Sequence, residues 1–528
     1  MTINNPEVSQ YVLPANAQKS DDHSAITCVR KGSGESVEVT SFISKDGRLR
    51  CRVPGDKSEW ASIKNHNGED LDFEKSWKFS QVGITGKSNS SILHDDNDNA
   101  FLWLADTVWF GLTDRISNSE WKTLMEKRTK QGFNVMQVVS GLLPEAAFGE
   151  PSTLLDGVAS WTLDKKELEK RWWDAADLRV IDAVQAGQMP ALVGAWSYYI
   201  LEFGAERLKK HWSEMIARWS AFPVFWCVAG EVGLMEYKDL FTDDMQEKAL
   251  SIQQMWKPVI SHVRNTDSWK RPITVHPCPA FNYSSTEALQ GDENLDFIWL
   301  QTGHADVNVI KATLGALNKA QRDSKLPVIN SEVCYEGIAG GSPAMLQRYL
   351  FWTHLLQGAA GHTYGAQGIW AFHDDETSPG AMWGWVPWQE ASLLPGATQL
   401  GLAAQYLRSI HWNGFTPAND SMKVNADLDH PYRPWAGKTG DNLIAYFPPV
   451  SMAPADMGIS FELATIVFQK LKKNSAYSME ILNPRNGKVV RTEKITSSAE
   501  GEWHFTSTNI ASPLPTMEDW IIDLKLLS

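Results

Sequence analysis

The sequence of 528 residues predicts an α/β fold, a (β/α)8 TIM barrel flanked by an N-terminal small β domain and a C-terminal β-sandwich. Eight short apolar runs alternate with amphipathic stretches through the middle of the chain. On both sides of this region, apolar and polar residues alternate as they do in half-buried strands. The chain is also too long for one compact core, so we expect domains at residues 1–90, 91–415 and 416–528.

The N-terminal region is rich in Ser, Gly, Asp and Lys, and it contains short alternating runs. Val37 and Val39 stand between polar neighbours, and Leu49, Cys51 and Val53 follow the same spacing. This pattern is typical of a small β domain with turns between its strands. A polar, turn-rich segment at residues 88–100 ends the region.

The central region repeats strand, loop and helix. Each predicted strand is a nearly continuous apolar run, as expected for parallel strands buried on both faces. The eight strands are Phe101–Thr107, Phe133–Ser140, Met189–Trp196, Val224–Glu231, Pro272–His276, Phe297–Thr302, Pro327–Glu332 and Gly358–Tyr364. Helical spacing of apolar residues is found between them in Asn118–Gln131, Trp173–Ala186 and Ala205–Ala221.

A doubly wound fold is the alternative to a barrel. It would place a Gly-rich phosphate-binding loop after the first strand. The turn at that position reads Asp106-Thr107-Val108-Trp109, which contains no glycine. The sequence therefore favours the barrel.

Strand-like alternation returns after a predicted helix at Leu400–Ile410. A turn at 483–487 (Asn-Pro-Arg-Asn-Gly) separates strands of this region. The predicted strands are Asp441–Phe447, Thr465–Lys470, Tyr477–Leu482 and Trp520–Leu524. A β-sandwich docked on the barrel is expected, since no low-complexity linker separates the two.

Charge and composition narrow the function. The net charge of -14 argues against nucleic acid and anionic membrane as partners, because both bind basic surfaces. The 24 Trp are numerous, and indole rings both fill cores and stack on the apolar faces of sugars. The sequence contains no stretch of eighteen apolar residues, so no transmembrane helix is predicted. A carbohydrate is the expected partner; the oligomeric state cannot be read from the sequence.

The cysteines and the N-terminus bear on the compartment. The five Cys lack CxxC spacing, and only Cys28 and Cys51 are placed to pair, so no disulfide framework is expected. Residues 1–20 are polar and lack the apolar region of a signal peptide. A cytoplasmic protein is expected, or a periplasmic or secreted one if a signal has been removed.

Two predicted strands, the fourth and the seventh, end on a glutamate, Glu231 and Glu332. In a (β/α)8 barrel the carboxyl ends of all strands open onto one face, where active sites lie. The alternative is that each glutamate is only the polar residue that ends a buried strand, but their paired placement favours a shared site. The other residues expected at this face to bind substrate are Asp106, Trp109, Gln137, Trp196, His276, Gln301, His304, Tyr335, Glu336, His362 and Tyr364.

A pair of carboxyl groups on one face is the equipment that glycosidic bond cleavage requires. One protonates the departing oxygen and the other meets the oxocarbenium-like carbon, and a separation of about 5–5.5 Å gives retention of configuration. Glu336 is a second candidate for the nucleophile if the strand ends later than Glu332. A Tyr beside the nucleophile, such as Tyr335, can keep it ionised by donating a hydrogen bond.

Three histidines near strand ends, His276, His304 and His362, raise the alternative of a zinc site. They lie on different strands and show neither HxH nor HExxH spacing. Hydrogen bonding to sugar hydroxyls is the better functional interpretation, so no metal and no cofactor is predicted. The run at 373–376 (His-Asp-Asp-Glu) is more typical of a solvated loop, with a role at the substrate rim as the alternative.

Six short motifs occur in order between Phe101 and His411. They are Asp106-Thr-Val-Trp109, Gly132-Phe-Asn-Val-Met-Gln137, Thr274-Val-His276-Pro277, Gln301-Thr-Gly303-His304, Glu332-Val-Cys-Tyr335-Glu336-Gly337 and Gly361-His-Thr-Tyr364-Gly365. Together they resemble the apiosidase-like glycoside hydrolases. The tail is similar to the collagen-binding-type β domain that often follows this barrel, and that binding activity is not carried over.

The resemblance implies a retaining (β/α)8 enzyme, exo-acting on side chains or ends of plant or algal polysaccharides or oligosaccharides. In related barrels the fourth strand presents the acid/base, which makes Glu231 the acid/base and Glu332 the nucleophile. The family pattern has an Asp after paired glycines there, whereas this chain has Ala229-Gly230-Glu231. The longer side chain moves the acid outward by about one methylene, so the resemblance supports glycosidase chemistry better than apiose specificity. A non-catalytic carbohydrate-binding protein and a polysaccharide lyase are the alternatives.

Overall fold

The computed structural model describes residues 6–15, 21–84, 90–237, 240, 242–410, 412–423, 433–449, 465–506, 514–516 and 518–527. These ranges leave out residues 1–5 and 16–20 of the polar N-terminus and residues 88 and 89 of the predicted turn-rich segment. Residue 411, at the end of the motif region, also lies outside them. In the described part of the chain, no helix is long and apolar enough to span a membrane.

Eight parallel strands form a nearly closed barrel, as the sequence predicts. In chain order they are Trp103–Thr107, Val135–Val139, Met189–Val193, Phe225–Cys227, Ile273–Thr274, Ile298–Gln301, Val328–Glu332 and Gly361–Tyr364. Strand eight pairs with strand one, and strands five and six stand at the two ends of the ladder. Single hydrogen bonds close this last gap, with the Asp296 amide donating to the Ile273 carbonyl at 2.9 Å.

Helices follow most barrel strands and bury their apolar sides against them. The α-helices are Asn118–Gln131, Lys170–Gln185, Tyr199–Trp219, Met245–Thr266, Ser285–Ala288, Val309–Asp323, Ala344–Leu356, Trp388–Ala391 and Pro395–Ser409. The first begins with a capping box, in which Ser117 accepts from the Glu120 amide and Glu120 accepts in return. It ends at Gly132, whose left-handed conformation stops the helix where the sequence predicts.

The N-terminal region forms two antiparallel sheets. One contains Phe42–Ile43, Leu49–Pro54, Glu7–Val12 and Asp72–Lys78, in that spatial order. The other contains Ser36–Thr40, Ala25–Arg30 and Trp60–Asn65. A short hairpin of Leu93–His94 and Ala100–Phe101 leads into the barrel.

A buried ion pair joins the N-terminal sheet to the barrel helices. Arg52 donates to both carboxylate oxygens of Asp177, at 3.0 and 2.7 Å, and Arg218 donates to the same carboxylate at 2.8 Å. Because a buried charge is stable only when it is paired, this cluster fixes how the sheet sits on the barrel. Cys51 in this sheet and Cys28 in the other N-terminal sheet are buried free thiols.

The C-terminal region is a sandwich of two antiparallel sheets that share one core. The larger contains Phe415–Pro417, Trp435–Thr439, Asn442–Phe447, Trp520–Leu526, Ala476–Asn483 and Lys488–Thr496. The smaller contains Met422–Lys423, Thr465–Phe468 and Trp503–Thr506. Arg348 of a barrel helix binds Asp519 through two hydrogen bonds, at 2.7 and 2.8 Å, which docks the sandwich rigidly.

The largest departure from the predicted strands is at the fourth. The sequence predicts Val224–Glu231, whereas the strand ends at Cys227. The chain continues in an extended form beyond it, with the Val228 amide donating to Thr274 and the Gly230 amide donating to Ala195. Glu231 itself turns into the left-handed region, with φ of 42°. It therefore lies in a turn beyond the strand, unlike Glu332, which is the last residue of its strand.

Candidate active site

A cavity of about 410 Å³ opens at the carboxyl ends of the barrel strands. That volume lies within the range of small-ligand sites. It is lined by Trp109, Pro144, Glu145, Trp196, Glu231, Tyr237, Pro279, Gln301, His304, Ala305, Glu332, Tyr335, Ile338, Ala339, Trp370 and Trp383. The mixture of indole rings and carboxyl groups suits a ligand that has both apolar faces and hydroxyl groups.

Close packing behind Glu231 fixes its backbone and side chain. A Cβ at position 230 would lie 2.2 Å from the Trp196 ring, so glycine is required where that indole crosses the chain. Trp196 then donates its indole N–H to Oε2 of Glu231 at 3.1 Å, and Tyr237 donates its hydroxyl to the same oxygen at 2.9 Å. A left-handed, non-glycine residue held by such contacts is typical of functional sites.

Glu332 is placed by the seventh strand, which bulges at Ser331 against the neighbouring sixth strand. The register shifts between Leu300 and Gln301, which sets Gln301 opposite Glu332 at the mouth of the barrel. His304 lies 2.9 Å from Oε1 of Glu332, and His276 lies 3.2 Å from Oε2. Two imidazoles thus flank one carboxylate.

Gln301 joins the two glutamates. Its amide nitrogen donates to Oε1 of Glu231 at 3.0 Å and to Oε1 of Glu332 at 3.2 Å. These two oxygens can therefore be no farther apart than the sum of those distances, about 6.2 Å. The separation is shorter than the 6.5–9.5 Å of inverting glycosidases and compatible with the 5–5.5 Å of retaining ones.

The two carboxyl groups differ in their proton affinity. Burial, and then the negative charge of Glu332, raise the pKa of Glu231. Burial alone would also raise the pKa of Glu332, but hydrogen bonds and positive charge from His276 and His304 outweigh it and lower the pKa to about 2. Environments that push two neighbouring carboxyls apart in this way set one up as an acid and the other as an anion.

The orientation of the His276 ring beside Glu332 is set by a backbone carbonyl group. Its Nδ1 lies 3.1 Å from the carbonyl oxygen of Pro277, which can only accept a hydrogen bond. Nδ1 therefore carries a proton, and Nε2 can offer a proton to Glu332 only in the imidazolium form. Nε2 faces Oε2 of Glu332 at 3.2 Å and has no other partner among the described residues.

Aromatic rings form much of the remaining wall. The Trp109 indole donates to the Tyr335 hydroxyl at 3.0 Å and meets Trp196 edge-on, with ring centres 5.6 Å apart. Tyr335 packs so tightly over the backbone of Gly365 that a Cβ there would lie 2.1 Å from the ring. Trp383 is half exposed at the rim. These rings leave a rigid, mostly apolar surface around the two carboxyls.

The structure brings together seven of the residues that the sequence predicts for the site. Trp109, Trp196, Glu231, Gln301, His304, Glu332 and Tyr335 line the cavity. His276 lies just behind Glu332, in contact with it.

Besides His276, five predicted substrate-binding residues are not part of the cavity lining. Asp106 accepts from Arg128 at 2.6 Å below the barrel mouth, and Gln137 bonds Thr107 inside the barrel. His362 packs on His354, with 3.4 Å between their Nδ1 atoms. The Tyr364 hydroxyl donates to Glu336 at 2.6 Å, and Glu336 also accepts from the Gly396 amide. These partners occupy the polar atoms of Glu336, which places it with the supporting structure.

Other cavity residues escaped the sequence-based prediction because they lie on loops beyond the strand ends. Glu145 follows the second strand, Tyr237 the fourth, and Trp370 and Trp383 the eighth. The one signal that could have indicated this loop is the Trp383-Gly384-Trp385 sequence, in which two large aromatic residues flank a glycine. Glu145 offers no such signal.

Two other groups of polar residues lie outside this cavity. A larger groove of about 940 Å³ is formed by residues 279–295, 319 and 323–326, but its carboxylates are on the surface. Among the described residues, Asp22, His23 and Glu214 come close enough together to hold a metal ion. Lys170 and Arg218 already pair with Glu214, at 3.4 and 2.7 Å, so this acidic group is neutralised by side chains.

Comparison with known proteins identifies the class. The model of the family described as "Apiosidase-like, catalytic domain" matches residues 87–414, which is more than half of the chain. The chain therefore belongs to the apiosidase-like family and is a glycoside hydrolase. The resemblance indicated by the six motifs is confirmed. Among curated proteins, no relative of similar sequence was found.

Solved structures share the architecture. One described as a glycoside hydrolase is 18% identical, covers 84% of this chain and 97% of its own length, and has a TM-score of 0.67. A family 5 glycoside hydrolase from Bacteroides vulgatus is 18% identical over 84% of this chain and 93% of its own, with a TM-score of 0.66. At this identity the likeness shows the fold alone, and it confirms a TIM barrel with flanking β domains.

Proposed function

We propose that this protein is a retaining, exo-acting glycoside hydrolase in which Glu231 is the acid/base and Glu332 the nucleophile. The observation that carries the proposal is the pair of buried carboxyls joined by Gln301, one with a raised and one with a lowered pKa. Its substrates would be side chains or ends of plant or algal polysaccharides or oligosaccharides. Domain limits at residues 1–90, 91–415 and 416–528 are part of the same proposal.

In the first step Glu332 attacks the anomeric carbon of the bound sugar. The glycosidic C–O bond breaks as a C–O bond to Glu332 forms, and the proton of Glu231 passes to the departing oxygen. The environment suits these roles, since the neighbouring histidines lower the pKa of Glu332 while burial raises the pKa of Glu231. The product of the step is a glycosyl ester of Glu332 and a released alcohol.

In the second step water replaces the leaving group. Glu231, now ionised, accepts a proton from this water, and the water oxygen attacks the anomeric carbon. The ester bond breaks and returns the electron pair to Glu332, while Glu231 regains its proton. Two inversions at one carbon give net retention.

The neighbours of the two glutamates hold this geometry. Trp196 and Tyr237 both donate to Oε2 of Glu231 and so fix that carboxyl against the cavity wall. Gln301 keeps the two carboxyls at a set separation. His304 and His276 would stabilise Glu332 again when the ester breaks and its charge returns.

The shape of the site supports exo action and carbohydrate as the substrate. The cavity has a compact volume of about 410 Å³ and is walled by Trp109, Trp196, Trp370 and Tyr335. A chain end or a single side-chain sugar fits such an enclosure, whereas the interior of a polymer needs an open cleft. Membership of the apiosidase-like family supports apiose as one sugar to test, beside other furanosides and pyranosides.

The test is a pair of variants with chemical rescue. Wild-type protein is first screened on 4-nitrophenyl furanosides and pyranosides, apiofuranoside included, and on plant and algal polysaccharides. Glu231→Ala and Glu332→Ala are then assayed on the best aryl glycoside with and without sodium azide. Loss of the acid/base should cost about 10²–10⁴-fold on glycans. Azide should restore turnover of the Glu231 variant as a glycosyl azide of retained configuration, and of the Glu332 variant as one of inverted configuration.

Four outcomes would contradict the proposal. Full activity of either variant would remove that glutamate from the mechanism. Rescue products of the opposite configuration would exchange the two roles. An unsaturated sugar absorbing in the near ultraviolet would indicate a lyase, and binding without any product would indicate a carbohydrate-binding protein. Unfolding temperatures of both variants provide the control for folding.

A further inference from the structure

A third carboxyl group, that of Glu145, lies in the active-site cavity and has no part in the two-step mechanism. Glu145 lines the cavity together with Glu231 and Glu332. Its Oε2 is buried and has no hydrogen-bond partner among the described residues. A buried acceptor without a partner is costly, so such an atom at a binding site is best explained by a ligand that supplies the donor.

The backbone around Glu145 is held in place by its neighbours. Glu145 adopts a left-handed conformation with φ of 53°, which an L residue enters only when its surroundings impose it. The neighbouring chain is tied down, since the Tyr198 hydroxyl donates to the Leu143 carbonyl and the Tyr199 hydroxyl to the Ala146 carbonyl, both at 3.0 Å. The carboxyl is thus presented rigidly.

The long loop after the eighth strand meets this carboxyl from the other side. A Cβ at Gly380 would lie 3.1 Å from Oε2 of Glu145, so the loop backbone passes directly beside it. Trp383 of this loop is half exposed and lines the same cavity as Glu145. Gln367 donates to the carbonyls of Gly380 and Gly384, which anchors the loop on both sides of the indole.

Glu145 lies on the acid/base side of the cavity. Tyr198 binds the carbonyl of Leu143, two residues before Glu145, and Trp196, two residues before Tyr198, donates to Oε2 of Glu231. Tyr237 lines the cavity together with Glu145 and donates its hydroxyl to Glu231 at 2.9 Å. The acid/base of a retaining glycosidase faces the leaving group. A carboxyl beside it therefore faces the leaving group too.

We propose that Glu145 and Trp383 form the subsite for the leaving-group sugar, in which Glu145 accepts a sugar hydroxyl and Trp383 stacks on a sugar face. This inference rests on the proposed function, because it takes the acid/base role of Glu231 as given. Burial raises the pKa of Glu145 to about 7, so near neutral pH the carboxyl exchanges between an acceptor and a donor of hydrogen bonds. Either form binds a hydroxyl group, which both donates and accepts.

The experiment compares two substrates that share the cleaved sugar. One is the 4-nitrophenyl glycoside that the wild-type protein hydrolyses fastest, and the other is a disaccharide with the same non-reducing sugar and linkage. Glu145→Gln and Trp383→Ala should each lower kcat/KM for the disaccharide at least tenfold more than kcat/KM for the aryl glycoside. Glu390→Gln, a change at an exposed carboxyl in the same region, should leave both values unchanged.

Equal losses on the two substrates would overturn the proposal, since they would place Glu145 with the cleaved sugar or in the chemistry. So would no loss on either. Trp383 is half exposed, so its variant tests the subsite even if Glu145→Gln fails to fold, as judged by thermal unfolding. A failure of the proposed function is distinct, because Glu231 and Glu332 variants would then retain full activity on both substrates.

Discussion

Replacing His304 with Ala is expected to move the acidic limb of the pH–activity profile toward neutral pH. His304 lies 2.9 Å from Oε1 of Glu332 and, with His276, lowers the pKa of that carboxyl to about 2. In the proposed mechanism hydrolysis needs Glu332 ionised, so activity is lost as the pH falls through this pKa. Without His304 the protonated form becomes easier to reach, and the loss begins at a higher pH.

The magnitude follows from the strength of the contact. A hydrogen bond to a charged group contributes about 1.5–3 kcal/mol, and one pKa unit corresponds to about 1.4 kcal/mol. The removal of His304 alone should therefore raise the pKa of Glu332 by about 1–2 units. The side chain of His304 is 28% exposed, and partial exposure to water favours the lower end of that range.

The measurement is kcat/KM for the best aryl glycoside across the acidic range, since this quantity reports the ionisation of the free enzyme. Each sample is afterward returned to the optimum pH and assayed again. Activity lost through irreversible unfolding does not return, whereas activity lost through protonation does. His94→Ala changes a histidine that meets Asn413 at 3.2 Å and should leave the profile unchanged. An acidic limb that stays in place in the His304 variant would refute the account of Glu332.

Three further predictions concern the residues that support the site and the contact between the N-terminal sheet and the barrel. Gln301→Ala removes the donor shared by Glu231 and Glu332, and kcat/KM should fall about 10–100-fold with unchanged unfolding temperature; an unchanged rate would show that the bridge is incidental. Gly230→Ala forces a Cβ to within 2.2 Å of Trp196, and overpacking should cost about 1–3 kcal/mol in chemical denaturation as well as activity. Arg52→Ala leaves Asp177 with a buried, partly unpaired charge and should cost about 3–5 kcal/mol, measured in the same way, with the exposed Lys166→Ala as its control.

The barrel could be predicted because its signal is repeated. Parallel strands buried on both faces produce continuous apolar runs. Each of the eight runs in the sequence lies within a few residues of an observed strand. Asn118–Gln131 matches the observed helix at both ends, since Ser117 and Gly132 mark its limits chemically. The end of the fourth strand could not be predicted, because the chain beyond Cys227 keeps its apolar character while its hydrogen bonding becomes irregular.

The site was predictable where it depends on strand ends and unpredictable where it depends on long loops. Glu332 and Gln301 are at strand ends, and their positions follow from the barrel alone. Glu145 and Trp383 meet only because two loops, distant in sequence, are folded against each other by tertiary contacts. Glu336 and Tyr364 show the reverse error, since strand-end placement did not reveal that they bond each other.

The most direct test of the central claim is to trap the covalent intermediate. A 2-deoxy-2-fluoro glycoside of the sugar found by the aryl glycoside screen, with a good leaving group, should inactivate the enzyme by accumulating the glycosyl ester. Mass spectrometry of the digested protein should then place the sugar on the peptide containing Glu332, at that residue. A label on Glu336 or Glu145, or an anomer of inverted configuration formed without any labelled peptide, would contradict the account.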